Sequence, residues 1–221
     1  MENAQYFLHV TDTHLCFDAE APDICCTEQA LRSLYQTAFA WDHRPAFVLI
    51  TGDLVHEGTS ADYARAKTLL QELDEQYHTK TYPALGNHDN RENFNSAFRE
   101  QASDQPVDYC VQNEWLRWIV LDSSCGQVIG QLSGSQLAWL EQELCDPTDC
   151  PTILALHHPV YGTTTAETDA NNLATPDRLI RLLQDHPVDG ILCGHSHEAT
   201  LVTEQGLPPQ FVGAGAASAA L

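Results

Sequence analysis

Lysine is almost missing from this 221-residue sequence: Lys67 and Lys80 stand alone, and basic residues number ten in all against 31 acidic ones. The formal charge of −21 repels long nucleic acids and anionic membranes, because nothing supplies the clustered cations whose counterion release drives such binding. Long apolar runs are missing too, and none approaches the roughly 20 residues of a bilayer span. Residues 1–5 are polar and the apolar run 6–10 is too short for the h-region of a signal peptide, so a cytoplasmic protein is expected. No repeat, linker or low-complexity tract divides the chain, and one domain over residues 1–221 is expected. Eight cysteines could suggest a disulfide framework, but a chain this long builds a core without one. Cys110 and Cys193 read as small core residues, and Cys145 and Cys150 as unpaired thiols.

What is present is regular. Apolar, β-rich runs occupy residues 6–10, 46–51, 79–85, 115–121, 152–156, 190–193 and 211–212. Segments with helical spacing lie between several of them. Leu31, Leu34, Tyr35 and Ala38 share one face of residues 27–41. Ser60 is placed to cap a helix carrying Tyr63, Ala66, Leu69, Leu70 and Leu73, and Ser135 to open 136–144, with Leu137, Leu140 and Leu144 on one stripe. Pro176 suits an early helical position before Leu179, Leu182 and Leu183. This alternation predicts an α/β fold with mainly parallel neighbours, and a hairpin pairing 107–112 with 115–121 through Asn113–Glu114 makes the sheets mixed.

The chemistry-bearing residues follow the strands. The first runs into Asp12-Thr13-His14, the second into Gly52-Asp53 and the third into Gly86-Asn87-His88-Asp89. Later strands end in His157-His158-Pro159 and Gly194-His195-Ser196-His197. Ligands of open α/β sheets bind beyond the carboxyl ends of strands, so five strand ends deliver Asp, Asn and His to one rim. On extended backbone, residues at i and i+2 point the same way, which would aim Asp12 with His14, and His195 with His197, into one pocket. Each motif alone has a bland reading as a turn or surface loop, but their joint placement argues for metal binding. Imidazole, carboxylate and amide oxygen suit divalent manganese, iron or zinc. Seven such groups exceed one tetrahedral site and suit two ions of higher coordination.

The series Asp-x-His, Gly-Asp, Gly-Asn-His-Asp, His-x-Pro and Gly-His-x-His resembles the calcineurin-like metallophosphoesterases. It spans Asp12 to His197. Asn90-Arg91 followed by Phe94 and Phe98, then Leu121-Asp122-Ser123, Gly130-Gln131-Leu132 and 136–140, is similar to their cyclic-nucleotide phosphodiesterase (class III) branch.

The resemblance implies a mixed two-sheet sandwich flanked by helices. It implies Asp12, His14, Asp53 and His197 on one ion and Asp53, Asn87, His157 and His195 on the other, with Asp53 bridging. The cofactor expected is therefore a pair of divalent ions (manganese, iron, zinc or a mixed pair). Two ions about 3.5–4 Å apart supply a hydroxide nucleophile and clamp a phosphate. His88 is expected to serve as catalytic acid or phosphate donor, with Asn87 and His197 also facing substrate. Asp89 is expected to orient His88, to support the ligands from behind or to cap a helix, and His158 to sit at the rim or support a ligand. Arg91 is expected in a surface salt bridge, and His9, His43, His56, His78 and His186 in structural or exposed roles. Members of the resembled family continue well beyond the Gly-His-x-His segment, so the C-terminal part of the second sheet is expected to be missing here.

The expected activity is hydrolysis of a small phosphate diester such as a 3',5'-cyclic nucleotide. A phosphomonoesterase or protein phosphatase on the same scaffold would call for more basic residues, and a nuclease is disfavoured by the charge. A silent metal-binding module would have no use for His88 beside seven ligands. The partner expected is a small phosphate ester, with no long nucleic acid and no membrane; oligomeric state carries no sequence signal.

Overall fold

The computed structural model describes residues 5–17, 27–162 and 172–216. A three-stranded parallel sheet holds β1 (Leu8–Val10), β2 (Val48–Thr51) and β3 (Thr81–Ala84), in that order. A six-stranded sheet holds β4 (Tyr109–Gln112), β5 (Arg117–Val120), β6 (Thr152–Ala155), β7 (Gly190–Cys193), β8 (Thr200–Val202) and β9 (Gln210–Val212), in the order β4-β5-β6-β7-β9-β8. The expected hairpin is there: β4 runs antiparallel to β5, and the Asn113 side chain closes the loop by accepting from the Trp115 and Leu116 amides. After His197 the chain adds the antiparallel β8–β9 pair, with β9 parallel to β7. The short strand β8 went unread in the sequence because it is three residues long, with only Leu201 and Val202 apolar.

Alternation along the strands explains the layers. Val48 and Ile50 of β2 face one way, into a core shared with Leu31 and Tyr35 of α1 (Thr27–Phe39) and Tyr63, Leu69 and Leu70 of α2 (Ser60–Tyr77). Phe94 of α3 (Arg91–Phe98) joins the same core. Leu49 faces the other way and meets Trp118, Val120, Ile153 and Leu192 of the second sheet, so this cluster is the seam between sheets. Ile119, Leu154 and Ile191 point outward to α4 (Gly134–Cys145) and α5 (Asp177–Asp185), whose Leu137, Leu140, Leu179 and Leu183 cover them. The result is a helix–sheet–sheet–helix sandwich of mixed strands.

Two helix starts differ from expectation. Thr59, not Ser60, caps α2: its hydroxyl accepts from the Asp62 amide while Asp62 accepts from the Thr59 amide. Ser133, not Ser135, caps α4 in the same reciprocal way with Gln136. A reciprocal cap needs an acid or amide three residues downstream, and only the earlier hydroxyl in each pair has one that returns the bond. The six cysteines described, Cys145 and Cys150 among them, are free thiols. No helix among the described residues is long and apolar enough to cross a membrane.

Candidate metal centre

Parallel pairing in each sheet sets the carboxyl ends of β1, β2 and β3, and of β6 and β7, at one edge of the sandwich. Backbone contacts lock the segments beyond them: Asp12 N donates to Gly52 O at 3.1 Å, His14 N to Asp53 O at 2.8 Å, and Gly194 N to His157 O at 2.9 Å. Asp12, His14, Asp53, His195 and His197 all have positive φ, between 40° and 74°. The expectation of extended backbone at Asp-x-His and His-x-His is therefore wrong. The strands have ended, and a left-handed turn at each residue swings its side chain over the strand end. Such backbone is uncommon for non-glycine residues and costs on the order of 1–3 kcal/mol each, so it persists where surrounding structure enforces it and clusters at functional sites. At Gly194 and Gly86 the need is for space. A Cβ on the first would run into the Thr11 hydroxyl and the Asp12 carboxylate, and on the second into the Asp53 carboxylate.

The side chains converge. Asp12, His14 and His197 bring ligand atoms within 4.8 Å of one another, as do Asp12, Asp53 and His157. Asp53 Oδ2 stands 3.6 Å from His14 Nε2 and 3.4 Å from His157 Nε2, between the two groups. His157 Nε2 lies 3.0 Å from Asn87 Oδ1, and His197 Nε2 3.1 Å from Asp12 Oδ1. The His195 ring stands 5.0 Å from that of His157, and its amide donates to Asp12. The seven expected ligands are thus brought to one place, most of them buried.

The donor set tests what such a cluster can hold. His157 Nδ1 lies 2.9 Å from Thr51 O, a carbonyl that only accepts, so Nδ1 carries a proton and Nε2 turns its lone pair toward Asn87 Oδ1 and Asp53 Oδ2. His14 Nε2 and His197 Nε2 face each other at 3.3 Å beside Asp12 and Asp53. Lone pairs crowded this way demand a cation among them, and a backbone bond on the far nitrogen is the usual support of a metal-bound imidazole. In the bare chain protons fill that role. Burial would lower His157, but the Asp53 charge, its hydrogen bond and Asp12 push the ring up to about 9. Burial would raise Asp53, but His157, His14 and the His88 amide hold it far below the usual carboxylate range. Burial dominates at His14 and lowers it to about 4, against the pull of Asp53 and Asp12. These residues fit a pair of divalent ions.

His88 stands at the exposed lip. Its amide donates to Asp53 Oδ1 at 2.9 Å, and its Nδ1 lies 3.0 Å from the His56 carbonyl, so Nδ1 carries a proton and Nε2 is the nitrogen left for a substrate. His56, read from the sequence as structural or exposed, belongs here: its ring stacks on His88 at 5.0 Å and meets His14 Nδ1 at 3.5 Å. The pairing of the segments after β1 and β2 brings it in, through the Leu15–Val55 bridge and the His56 amide donating to Leu15 O at 3.2 Å; no local pattern marks it.

Asp89 and His158 both stand behind the expected ligands. Asp89 neither orients His88 nor caps α3, whose cap is Asn90. It accepts from the amides of Leu54 (3.0 Å), Val55 (3.3 Å) and Gly86 (2.9 Å) and from the Tyr63 hydroxyl (2.8 Å), tying the Asp53 turn to the Asn87 turn. Burial and the Asp53 charge push it up to about 7, opposed by the bonds from the Gly86 and Leu54 amides and the Tyr63 hydroxyl. His158 is fully buried and not at the rim. The Val128 carbonyl at 3.0 Å takes the Nε2 proton and Nδ1 faces the Ser123 hydroxyl at 2.8 Å, so both nitrogens are engaged. Burial, with the His157 and His195 charges, lowers it to about 2. Arg91 does form a salt bridge, but with the buried Asp122 carboxylate at 2.7 Å and not with a surface acid.

The two-sheet sandwich is similar in fold to a dimetal phosphatase from Danio rerio, with a TM-score of 0.76 at 16% identity, covering 97% of this chain and 88% of that one. Residues 6–199 match the model of the calcineurin-like phosphoesterases, and the chain belongs to that family. Among its relatives, a probable cyclic nucleotide phosphodiesterase of Rhodococcus erythropolis is 36% identical over 205 residues, 92% of this chain and 68% of that protein. A glycerophosphodiester phosphodiesterase of Enterobacter lignolyticus is 33% identical over 168 residues, 72% of this chain and 58% of that protein. The matched segments thus span 58–68% of these relatives' length.

Proposed function

We propose that the chain hydrolyses a small phosphate diester with two divalent ions, one held by Asp12, His14, Asp53 and His197 and the other by Asp53, Asn87, His157 and His195. The observation that carries this reading is Asp53 Oδ2, set 3.6 Å from an imidazole nitrogen of one group and 3.4 Å from one of the other. When bound, such a pair polarises the phosphate and supplies an attacking water at neutral pH. The protein's own residues do the rest. Thr51 O and the Asp53 carboxylate hold the His157 and His14 rings in place, and the Asp89 tie fixes the turns that carry Asp53 and Asn87. With Nδ1 bonded to His56 O, His88 has Nε2 left to serve a phosphate oxygen or the departing alkoxide as a donor; Asn87 and His197 flank the same phosphate.

The substrate class rests on charge and kinship. A net charge of −21 disfavours polyanions, whereas two divalent ions against two carboxylates leave a local surplus for one small anion. Names of relatives point to cyclic nucleotides and glycerophosphodiesters, and we favour a 3',5'-cyclic nucleotide, with residues 1–221 acting as one domain.

The test is a hydrolysis panel on metal-replete protein: cyclic nucleotides, a glycerophosphodiester, a chromogenic diester and a monoester, with bound metal measured alongside. Two metals per chain and faster diester than monoester turnover are expected. Asp53→Asn should lose more metal than Asn87→Ala, because it weakens both sites. Equal retention overturns the bridging role, and trace metal in the parent overturns the whole reading.

A further inference from the structure

Positive charge is scarce in this chain, yet it gathers in one place away from the metal centre. A cavity of about 380 Å³ opens between α2, α3 and the amino-terminal end of β3, and Lys67, Lys80 and Arg99 all line it. These are both lysines and one arginine of a chain with only ten basic residues. The metal centre lies beyond the opposite, carboxyl end of β3, so the two sites do not share a wall.

The walls are aromatic. Phe98 stacks flat on Phe94 with centroids 4.5 Å apart, and Tyr82 is held edge-on against Trp118 at 5.0 Å. The Tyr109 hydroxyl donates to Pro83 O at 2.9 Å, which fixes its ring. One acid, Asp74, also lines the cavity. It is already committed, bonding the Thr81 amide at 3.1 Å and the Thr81 hydroxyl at 2.5 Å, and it meets Lys80 only at 3.9 Å. Lys67 spends one proton on Ala97 O at 2.7 Å and keeps two. Arg99 forms no ion pair among the described residues, and its charge is felt by Tyr109. Three cations with so little internal neutralisation, set around half-buried rings in a strongly acidic protein, are matched by an anion that carries an aromatic group. Ligand pockets run from about 300 to 1,000 Å³, so this one takes a single small molecule and not a polymer.

We propose that this cavity is a second ligand site, taking an aromatic phosphate of mononucleotide size, its phosphate between Lys80, Arg99 and Lys67 and its ring against Phe98 and Tyr82. The assignment does not rest on the metal-centre reading. The probe is adenosine 5'-monophosphate, titrated against the metal-replete chain and against the double variant Lys80→Ala/Arg99→Ala, both of whose positions are exposed. The parent is expected to bind one more AMP per chain than the variant, or to bind it at least tenfold more tightly. Adenosine and inorganic phosphate should each bind this site at least tenfold more weakly than AMP. Hydrogen exchange should slow at residues 80–83 and 97–99 when AMP binds the parent, a readout that does not depend on the variant's folding.

Equal stoichiometry and affinity in parent and variant overturn the proposal, as does unchanged exchange in those segments. Adenosine or phosphate binding as tightly as AMP overturns the ligand class. A failed metal centre leaves a different signature: parent and variant would still differ by one AMP, but neither would turn over the chromogenic diester.

Discussion

At His88 the backbone and the ring have separate tasks. Its amide serves the Asp53 carboxylate and its ring faces outward, with Nδ1 spent on His56 O. Replacing only the ring should therefore spare the metal cluster. His88→Ala is expected to retain both metals while turnover falls by about 10²–10⁴-fold, the range for a positioned acid. If the ring protonates the leaving group, the loss shrinks for a nitrophenolate ester; if it stabilises the phosphate, the loss holds across leaving groups. Loss of a metal in this variant would make His88 a ligand, and full activity would remove it from the reaction. The motif around His88 was legible as strand-end chemistry. Its partner His56 was not, because His56 reaches the site through the pairing of two segments 40 residues apart.

Among the elements, α2 links ordinary helix physics to the site. Its capping box at Thr59 and Asp62 fixes the first turn, and Tyr63 one turn in gives its hydroxyl to Asp89 while accepting from the Asn90 amide at 2.7 Å. Thr59→Ala removes one side of the cap and is expected to cost about 0.5–2 kcal/mol of stability, read as a fall in the thermal midpoint of a few degrees. Buried Tyr63, Ala66, Leu69, Leu70 and Leu73 keep the helix seated, so metal content per folded chain should not change. An unchanged midpoint would show that the cap carries no net energy, and lost metal would show that the first turn sets the Asp89 tie. The apolar stripe of α2 was readable from its spacing. The capping residue was off by one, because Thr and Ser are adjacent and only the returned Asp62 bond distinguishes them.

For the whole molecule, the proton-holding rings of the cluster make metal affinity a function of pH. The His157 ring, raised to about 9, is protonated below that pH in the bare chain, whereas a metal ligand must be neutral. Binding a metal therefore expels a proton below about pH 9, and affinity rises with pH until the ring titrates. His197, raised by its bond to Asp12, acts in the same direction. Affinity should increase at least about tenfold per pH unit between roughly pH 6 and 8, the equilibrium weight of one displaced proton. Calorimetric titrations in two buffers of different ionisation enthalpy would count the protons. A pH-independent affinity would mean that metal does not compete for these rings.

By itself the sequence determined the parts: which runs are strands, which faces of the helices are apolar, and that Asp, Asn and His follow strand after strand. Periodicity and strand-end chemistry are local, so they survive in one dimension. Only the tertiary structure decided how those parts meet. It turned five of the seven candidate ligands through left-handed backbone, four of them where extended-strand spacing aims the side chains differently. It made Asp89 a tie between two turns, buried His158 under the loop it holds, and set both lysines around one cavity. Each of these depends on segments tens to more than a hundred residues apart. Sheet order and packing between layers set such contacts, and neither leaves a period in the chain.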